Sequence, residues 1–253
     1  MTNIIQVEDS SANIAIVIGA SSKIAIALIQ RLSGANASPN VVAISRQFSA
    51  TARADFDSNV TLLQSDYTDK SIREICEQLK PHKGQVSHVF ICNGMLHDAD
   101  ISPEKRVDDV SGDNLHGVFQ VNAVIPMLWV KYLKPVLAGK RNCVVTAFSA
   151  RIGSIEDNQR GGWYSYRASK AALNMLLKTA AIEYTRIAKG VRFLVFHPGT
   201  TDTPLSKPFQ KFVSEGKLFT PEFVAGRLLD LVEAETVDNS IRFIDWDGKS
   251  IPW

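Results

Sequence analysis

Ile14-Ala-Ile-Val-Ile-Gly-Ala-Ser-Ser-Lys-Ile-Ala-Ile-Ala-Leu-Ile-Gln-Arg-Leu32 opens as an unbroken apolar run, turns at Gly19, and continues with apolar residues at three-to-four spacing. A strand without a polar face is buried on both sides, so the stretch reads as strand, tight turn, helix. The same alternation recurs along the chain. Val41–Ser45, Val60–Leu63, Val86–Cys92, Cys143–Phe148, Val191–Phe196 and Ile241–Ile244 read as further strands. Between them, Ser71–Leu79, Asn114–Leu137, Tyr164–Ala188 and Pro221–Glu233 join Ile24–Leu32 as helices. Strands alternating with helices predict an α/β chain, with a doubly wound parallel sheet of about seven strands and helices on both faces. No Pro/Gly/Ser-rich linker, repeat or low-complexity tract divides residues 1–253, which therefore read as one domain.

Composition narrows the partners. With 45% hydrophobic and 21% charged residues and a formal net charge of +2, the chain has ordinary globular chemistry. Its Lys and Arg are scattered, which argues against nucleic acid and against an anionic membrane. The run Ile14–Ile18 is too short to span a bilayer, and Glu8 and Asp9 stand where a signal peptide would be basic. Cys76, Cys92 and Cys143 are odd in number and far apart. They read as reduced core thiols, not a disulfide frame or a metal site, and so point to the cytoplasm.

The turn Gly19-Ala-Ser-Ser-Lys-Ile-Ala25 lies where a doubly wound sheet seats a nucleotide phosphate on the free N–H groups of a helix start. Lys23 either reaches that phosphate or points into solvent. The second strand ends Ile44-Ser-Arg46, with no acidic residue there to accept a ribose 2′-hydroxyl. Arg46, with Lys23, favours a 2′-phosphate and hence NADP(H) over NAD(H). The long irregular stretch 199–218 follows a strand and is a candidate substrate loop.

Tyr166-Arg-Ala-Ser-Lys170 sets a phenol and an ammonium four residues apart in helix-forming sequence, on one helix face. A cation near a phenol favours its ionised form and draws its pKa down towards the range of a working proton donor and acceptor. Alone, the spacing also fits a solvated surface helix; its surroundings decide.

Those surroundings carry a resemblance. Gly19-x-Ser21, Asp66-Tyr-Thr-Asp69, Cys92-Asn-Gly94, Phe119-Gln-Val-Asn122, Tyr166-x-x-x-Lys170 and His197-Pro-Gly-Thr-Thr-Asp-Thr203, in this order and spacing, resemble the short-chain dehydrogenase/reductases over essentially the whole chain. Gly153-Ser-Ile155, the run 161–170 and the ending Asp247-Gly-x-x-Ile-Pro-Trp253 are most similar to the C-factor and Sniffer-like carbonyl reductase branch. The resemblance implies a Rossmann-type fold and NADPH-dependent reduction of an aldehyde or ketone by hydride transfer. Tyr166 would be the general acid, or the base in reverse. Lys170 would tune it and bind the nicotinamide ribose, and Asn122 would hold a water linking Lys170 to solvent. Gly19, Ser21, Lys23, Ile24, Arg46, Asp66, Asn93, Gly94, Pro198, Gly199 and Thr201 would bind the cofactor along with Tyr166 and Lys170. Asp66 is placed on the adenine edge, and Pro198, Gly199 and Thr201 border the nicotinamide amide.

Three departures stand out. Lys23 and Ala25 replace two glycines of the dinucleotide turn, and Ile91-Cys-Asn-Gly94 is a reduced form of the usual block after the fourth strand. The position of the substrate-orienting Ser holds Ala150, leaving Ser149, the favoured candidate, or Ser154 to supply a hydroxyl. The alternative reading is therefore a nucleotide-binding regulatory or signalling protein on the same scaffold. Family members often pair helices equivalent to Asn114–Leu137 and Tyr164–Ala188, which implies a homodimer or homotetramer. Phe209, Phe212 and Phe219 either wall an apolar pocket or clamp the loop to the sheet.

Overall fold

The computed structural model describes residues 13–34, 39–49, 56–139, 142–234 and 241–253; Glu8 and Asp9 lie outside them. Seven strands form one sheet: β1 (Ile14–Ile18), β2 (Asn40–Ser45), β3 (Val60–Gln64), β4 (Val86–Ile91), β5 (Cys143–Phe148), β6 (Val191–His197) and β9 (Arg242–Asp245). Their order is β3-β2-β1-β4-β5-β6-β9, and every pairing is parallel. The predicted doubly wound sheet is thus observed, each strand displaced by no more than a residue at either end. The order reverses at β1, with β2 on one side and β4 on the other. A crevice opens beyond the carboxyl ends at such a switch point.

Alternation within β1 shows how the layers form. Ile14, Ile16 and Ile18 point into one core with Val89, Trp129, Leu133, Leu173 and Leu177. Ala15 and Val17 point into the other with Leu28, Ile29, Val224 and Leu228. Helices α1 (Lys23–Ser33) and α6 (Pro221–Glu233) therefore cover one face, and α2 (Asp69–Leu79), α4 (Ile125–Leu137) and α5 (Tyr164–Ile187) the other. Side-chain oxygens of Ser22, Thr68 and Thr220 accept the early N–H groups of α1, α2 and α6, which fixes where each begins.

Two features were not expected from the sequence. The stretch read as one helix over 114–137 is α3 (Gly112–Phe119), a π turn over Gln120–Val124, and α4. A second, two-stranded sheet pairs β7 (Thr200–Thr201) with β8 (Leu218–Phe219), closing the two ends of the loop 199–218 against each other.

Candidate active site

The carboxyl ends of β1, β4, β5 and β6 bring together side chains distant in sequence. Tyr166 lies in the first turn of α5, half-buried, and Lys170, one turn on, is 2% exposed. Lys170 Nζ stands 5.9 Å from the Tyr166 ring centroid and donates to the Phe148 carbonyl at the end of β5, at 2.9 Å. Gly153 packs against Lys170 so closely that a Cβ there would meet its Cβ at 2.7 Å.

The electrostatics differ from the expectation that the ammonium lowers the phenol. Burial penalises the charged form of each group. It pushes Tyr166 up to about 12 and Lys170 down to about 7. Tyr166 therefore keeps its proton through the physiological range, and Lys170 titrates near neutrality.

Asn122 sits in the π turn, fully buried. Its Oδ1 accepts from Met95 N at 2.8 Å, and its Nδ2 donates to Met95 O at 2.8 Å and to Ser169 Oγ at 3.0 Å. Both amide hydrogens are spent, so the side chain ties the segment after β4 to α5 and has no proton left for a water. A Cβ on Gly94 would lie 3.7 Å from Lys170 Nζ and 4.0 Å from Asn122 Oδ1.

The serine candidates are committed elsewhere. Ser149 Oγ donates to Asn174 Oδ1 at 2.7 Å, while Ser154 Oγ reaches Trp253 O at 3.5 Å and accepts Asp157 N at 3.2 Å. Ser149 cannot give the same proton to a substrate without leaving Asn174, and Ala150 offers no hydroxyl. The sequence-based expectation of an orienting Ser thus meets no free donor at either position.

On the cofactor side, Gly19 has φ +79, and a Cβ there would meet the Cys92 carbonyl carbon at 3.0 Å, so only glycine fits this turn. Ser21 is exposed and accepts from Ser45 Oγ at 2.9 Å. Lys23 begins α1 and is exposed, Ile24 is half-buried, and Arg46 projects into solvent after β2. The Asp66 carboxylate accepts from Thr68 N at 2.9 Å and Thr68 Oγ1 at 2.8 Å, bonds that hold it below the usual carboxylate range. Asn93 Oδ1 and Thr201 Oγ1 are buried without a protein partner. A buried polar atom left unpaired is costly. Two of them flanking a glycine cradle fit a ligand that brings its own amide and hydroxyl groups. Pro198 is half-buried, and Gly199, at φ +71, lies against Phe219, where a Cβ would approach that ring to 2.7 Å.

Several contributors carried little sequence signal. Tyr67, at φ +63, places its hydroxyl 3.1 Å from Gly19 N and 3.3 Å from Ile44 O, beneath the dinucleotide turn. Glu104 is 3% exposed and accepts from Ser165 N and Ser165 Oγ. It supplies the cap that Trp163, left-handed at φ +53, does not give to α5. Arg167 donates to the Gly161 and Gly162 carbonyls and closes the loop in front of α5. Of the three phenylalanines, Phe209 packs at a tilt against Trp163 at 4.8 Å, Phe219 packs on Trp246 at 4.5 Å, and Phe212 is 77% exposed. Phe209 thus joins the loop to the segment before α5, Phe219 clamps the loop to the sheet side, and Phe212 does neither.

A doubly wound sheet with a glycine turn at its switch point and a half-buried Tyr beside a buried Lys opposite defines a nucleotide-binding oxidoreductase class. The short chain dehydrogenase family model matches residues 13–213, and the chain belongs to that family. It is 32% identical over 162 residues to 1-hydroxy-2-glutathionyl-2-methyl-3-butene dehydrogenase of Rhodococcus sp. (strain AD45), covering 64% of this chain and 68% of that one. C-signal of Myxococcus xanthus is 30% identical over 145 residues, covering 57% and 82%. Benzil reductase ((S)-benzoin forming) of Bacillus subtilis (strain 168) is 30% identical over 159 residues, covering 56% and 63%. In fold, carbonyl reductase Sniffer of D. melanogaster superposes with a TM-score of 0.80 at 19% identity, over 96% of this chain and all of the other. The expected likeness to the C-factor and Sniffer branch is thereby met.

Proposed function

We propose that this short-chain dehydrogenase is a single-domain NADPH-dependent reductase of aldehydes or ketones, with Tyr166 as proton donor. The observation that carries the reading is the half-buried Tyr166 with the buried Lys170, whose Nζ faces Gly94 after β4, together with the unpaired Asn93 Oδ1 and Thr201 Oγ1. A benzil reductase at 30% identity lends support for carbonyl substrates.

Gly19, the N-terminus of α1 with Ser21 and Ile24, Asn93, Gly94, Pro198, Gly199 and Thr201 would hold the cofactor, and Arg46 would meet its 2′-phosphate. When bound, the cofactor supplies the hydride. Everything else falls to the chain. Burial keeps a proton on Tyr166, ready for a carbonyl oxygen as negative charge develops there. Lys170, titrating near neutrality, is placed to restore that proton, and Phe148 O holds its Nζ in place. Asn122 acts by positioning: its three bonds fix Met95 and Ser169, hence the spacing of Gly94 from Lys170.

The remaining proposals concern setting. Cys76 and Cys143 are buried with thiols pushed up to about 12, and burial also raises Cys92, which accords with reduced thiols in a cytoplasmic protein. No helix among the described residues is long and apolar enough to cross a membrane. Much of the apolar surface of α4 is spent on the sheet through Trp129 and Leu133. Met175 (65% exposed) and Ile182 (57%) on α5 remain for pairing in a homo-oligomer.

Purified protein is expected to oxidise NADPH in the presence of an aldehyde, ketone or dicarbonyl, followed by the loss of NADPH absorbance. Tyr166→Phe is expected to lower kcat about 100-fold or more, the usual worth of a positioned proton donor. Failure to bind either nicotinamide cofactor, or undiminished turnover in Tyr166→Phe, would overturn the reading.

A further inference from the structure

We propose that residues 202–213 are clasped over Tyr166 by His97 and Trp163, and that Phe209 within this clasp makes the site selective for carbonyls bearing a flat apolar group. The inference deepens the carbonyl reductase reading and rests on it.

Four rings form a chain from one loop to the catalytic helix. His97, in the segment after β4, lies 5.9 Å from Phe209 with planes at 66°. Phe209 lies 4.8 Å from Trp163, and Trp163 lies 6.3 Å from Tyr166 at 72°. These separations suit the edge-to-face contacts that aromatic quadrupoles favour, so the rings hold each other's orientation. His97 Nε2 also lies 3.1 Å from Leu205 O. A carbonyl oxygen only accepts, so Nε2 carries the hydrogen and donates it. Leu205 in turn comes within 4.0 Å of where a Cβ on Gly94 would be, the point that also faces Lys170 Nζ. The front of the loop therefore lies over the Gly94 and Lys170 end of the site.

Both partners of the clasp are fixed from behind. The loop is tied internally, since Gln210 Nε2 donates to Asp202 Oδ1 at 2.8 Å and to Ser206 Oγ at 2.9 Å. Trp163 is set by its left-handed backbone and by its N–H donating to Glu104 O, while the Glu104 carboxylate anchors Ser165 two residues on. A rigid apolar wall ending at the proton donor favours a rigid flat group beside the carbonyl, which loses little conformational freedom on stacking there.

The test compares two substrates with NADPH, 1-phenyl-1,2-propanedione and butanal, in wild type, Phe209→Ala, Phe209→Tyr and His97→Gln. Phe209→Ala is expected to lower the ratio of kcat/KM for the phenyl diketone to that for butanal about tenfold, the scale of one lost aromatic contact with its buried area. Phe209→Tyr restores the ratio. His97→Gln raises KM for the diketone more than it lowers kcat, because the loop is released while Tyr166 stays in place. Turnover of both substrates with the ratio unchanged in Phe209→Ala overturns the clasp while leaving the reductase reading intact. Absence of turnover by wild type with every carbonyl overturns that reading and the inference with it.

Discussion

Asn122 spends both amide hydrogens on protein partners and Lys170 donates to the Phe148 carbonyl beside the half-buried Tyr166, whereas Lys23, Arg46 and Asp66, across the same crevice, face solvent. The difference follows from where each group is attached. The first set lies on α5 and in the π turn before α4, elements pressed into a core with Trp129 and Leu173; the second lies in the exposed segments that follow β1, β2 and β3. Groups of the first kind are held by packing before any ligand arrives, whereas groups of the second kind stay open to solvent and to a ligand, Asp66 keeping only local bonds from Thr68. On the proposed reading, the proton donor is thus built into the fold, while any preference between cofactors would rest on a few exposed charges.

The contrast is broken most directly at Asn122. Asn122→Ala leaves the Met95 N–H and C=O without their partner, and each buried unpaired group costs about 1–3 kcal/mol. A loss of about 2–4 kcal/mol in unfolding free energy is expected by denaturant titration, with kcat falling as Gly94 loses its spacing from Lys170. A change under 0.5 kcal/mol would mean that the buried side is not preassembled.

Arg46→Ala probes the exposed side. It is expected to weaken NADPH binding about tenfold, as one charge-assisted contact in solvent is lost, and to leave NADH binding nearly unchanged. Fluorescence titrations with both cofactors measure the pair, and equal losses for the two would remove Arg46 from the 2′-phosphate. The protein is not expected to unfold at lower denaturant, because Arg46 is exposed.

The pH response separates the two sides again. Lys170 is lowered to about 7 by burial, so its charged form predominates below that pH and falls about tenfold for each unit above it. If Lys170 restores the proton of Tyr166, kcat for reduction declines as pH rises through 7. Stability runs the other way. Between pH 7 and the unfolded value near 10.5 the unfolded chain binds the extra proton, so the folded state gains as pH rises across that window. A rate profile flat from pH 6 to 9 would exclude Lys170 from the rate-limiting proton path.

The same contrast explains what the sequence made legible. Buried strands reveal themselves as β-branched runs, so β1, β4 and β5 were read nearly to the residue, and the Tyr166/Lys170 spacing was readable because one helix carries both. The π turn at Gln120–Val124 was not, since one inserted residue barely disturbs an apolar periodicity. Glu104 gives no sequence signal because a lone acid in an irregular loop looks like any surface carboxylate until α5 is docked on it. Tyr67 carries no signal of its own beside Asp66, yet its hydroxyl supports the Gly19 turn. The fate of Ser149 depended on Asn174, one helix away, a contact that no local pattern announces.

Lys23 gives the smallest expected effect and the finest test of the contrast. From sequence it stood equally for a phosphate ligand and a solvated side chain. The structure gives it an exposed place at the first residue of α1, where a positive charge is disfavoured by the helix dipole. It also gives it an acidic neighbour: Asp202 is held low by Gln210 first, then by Lys207 and by Lys23. An ammonium already balanced by Asp202 and water gains little by turning to a phosphate, because exposed ion pairs are weak and salt-screened. Lys23→Ala is therefore expected to change the NADPH dissociation constant by less than about threefold at 0.15 M salt. The difference should vanish as salt is raised. A loss above tenfold that persists in high salt would show Lys23 preassembled on the phosphate, and the exposed side of the crevice would then resemble the buried one.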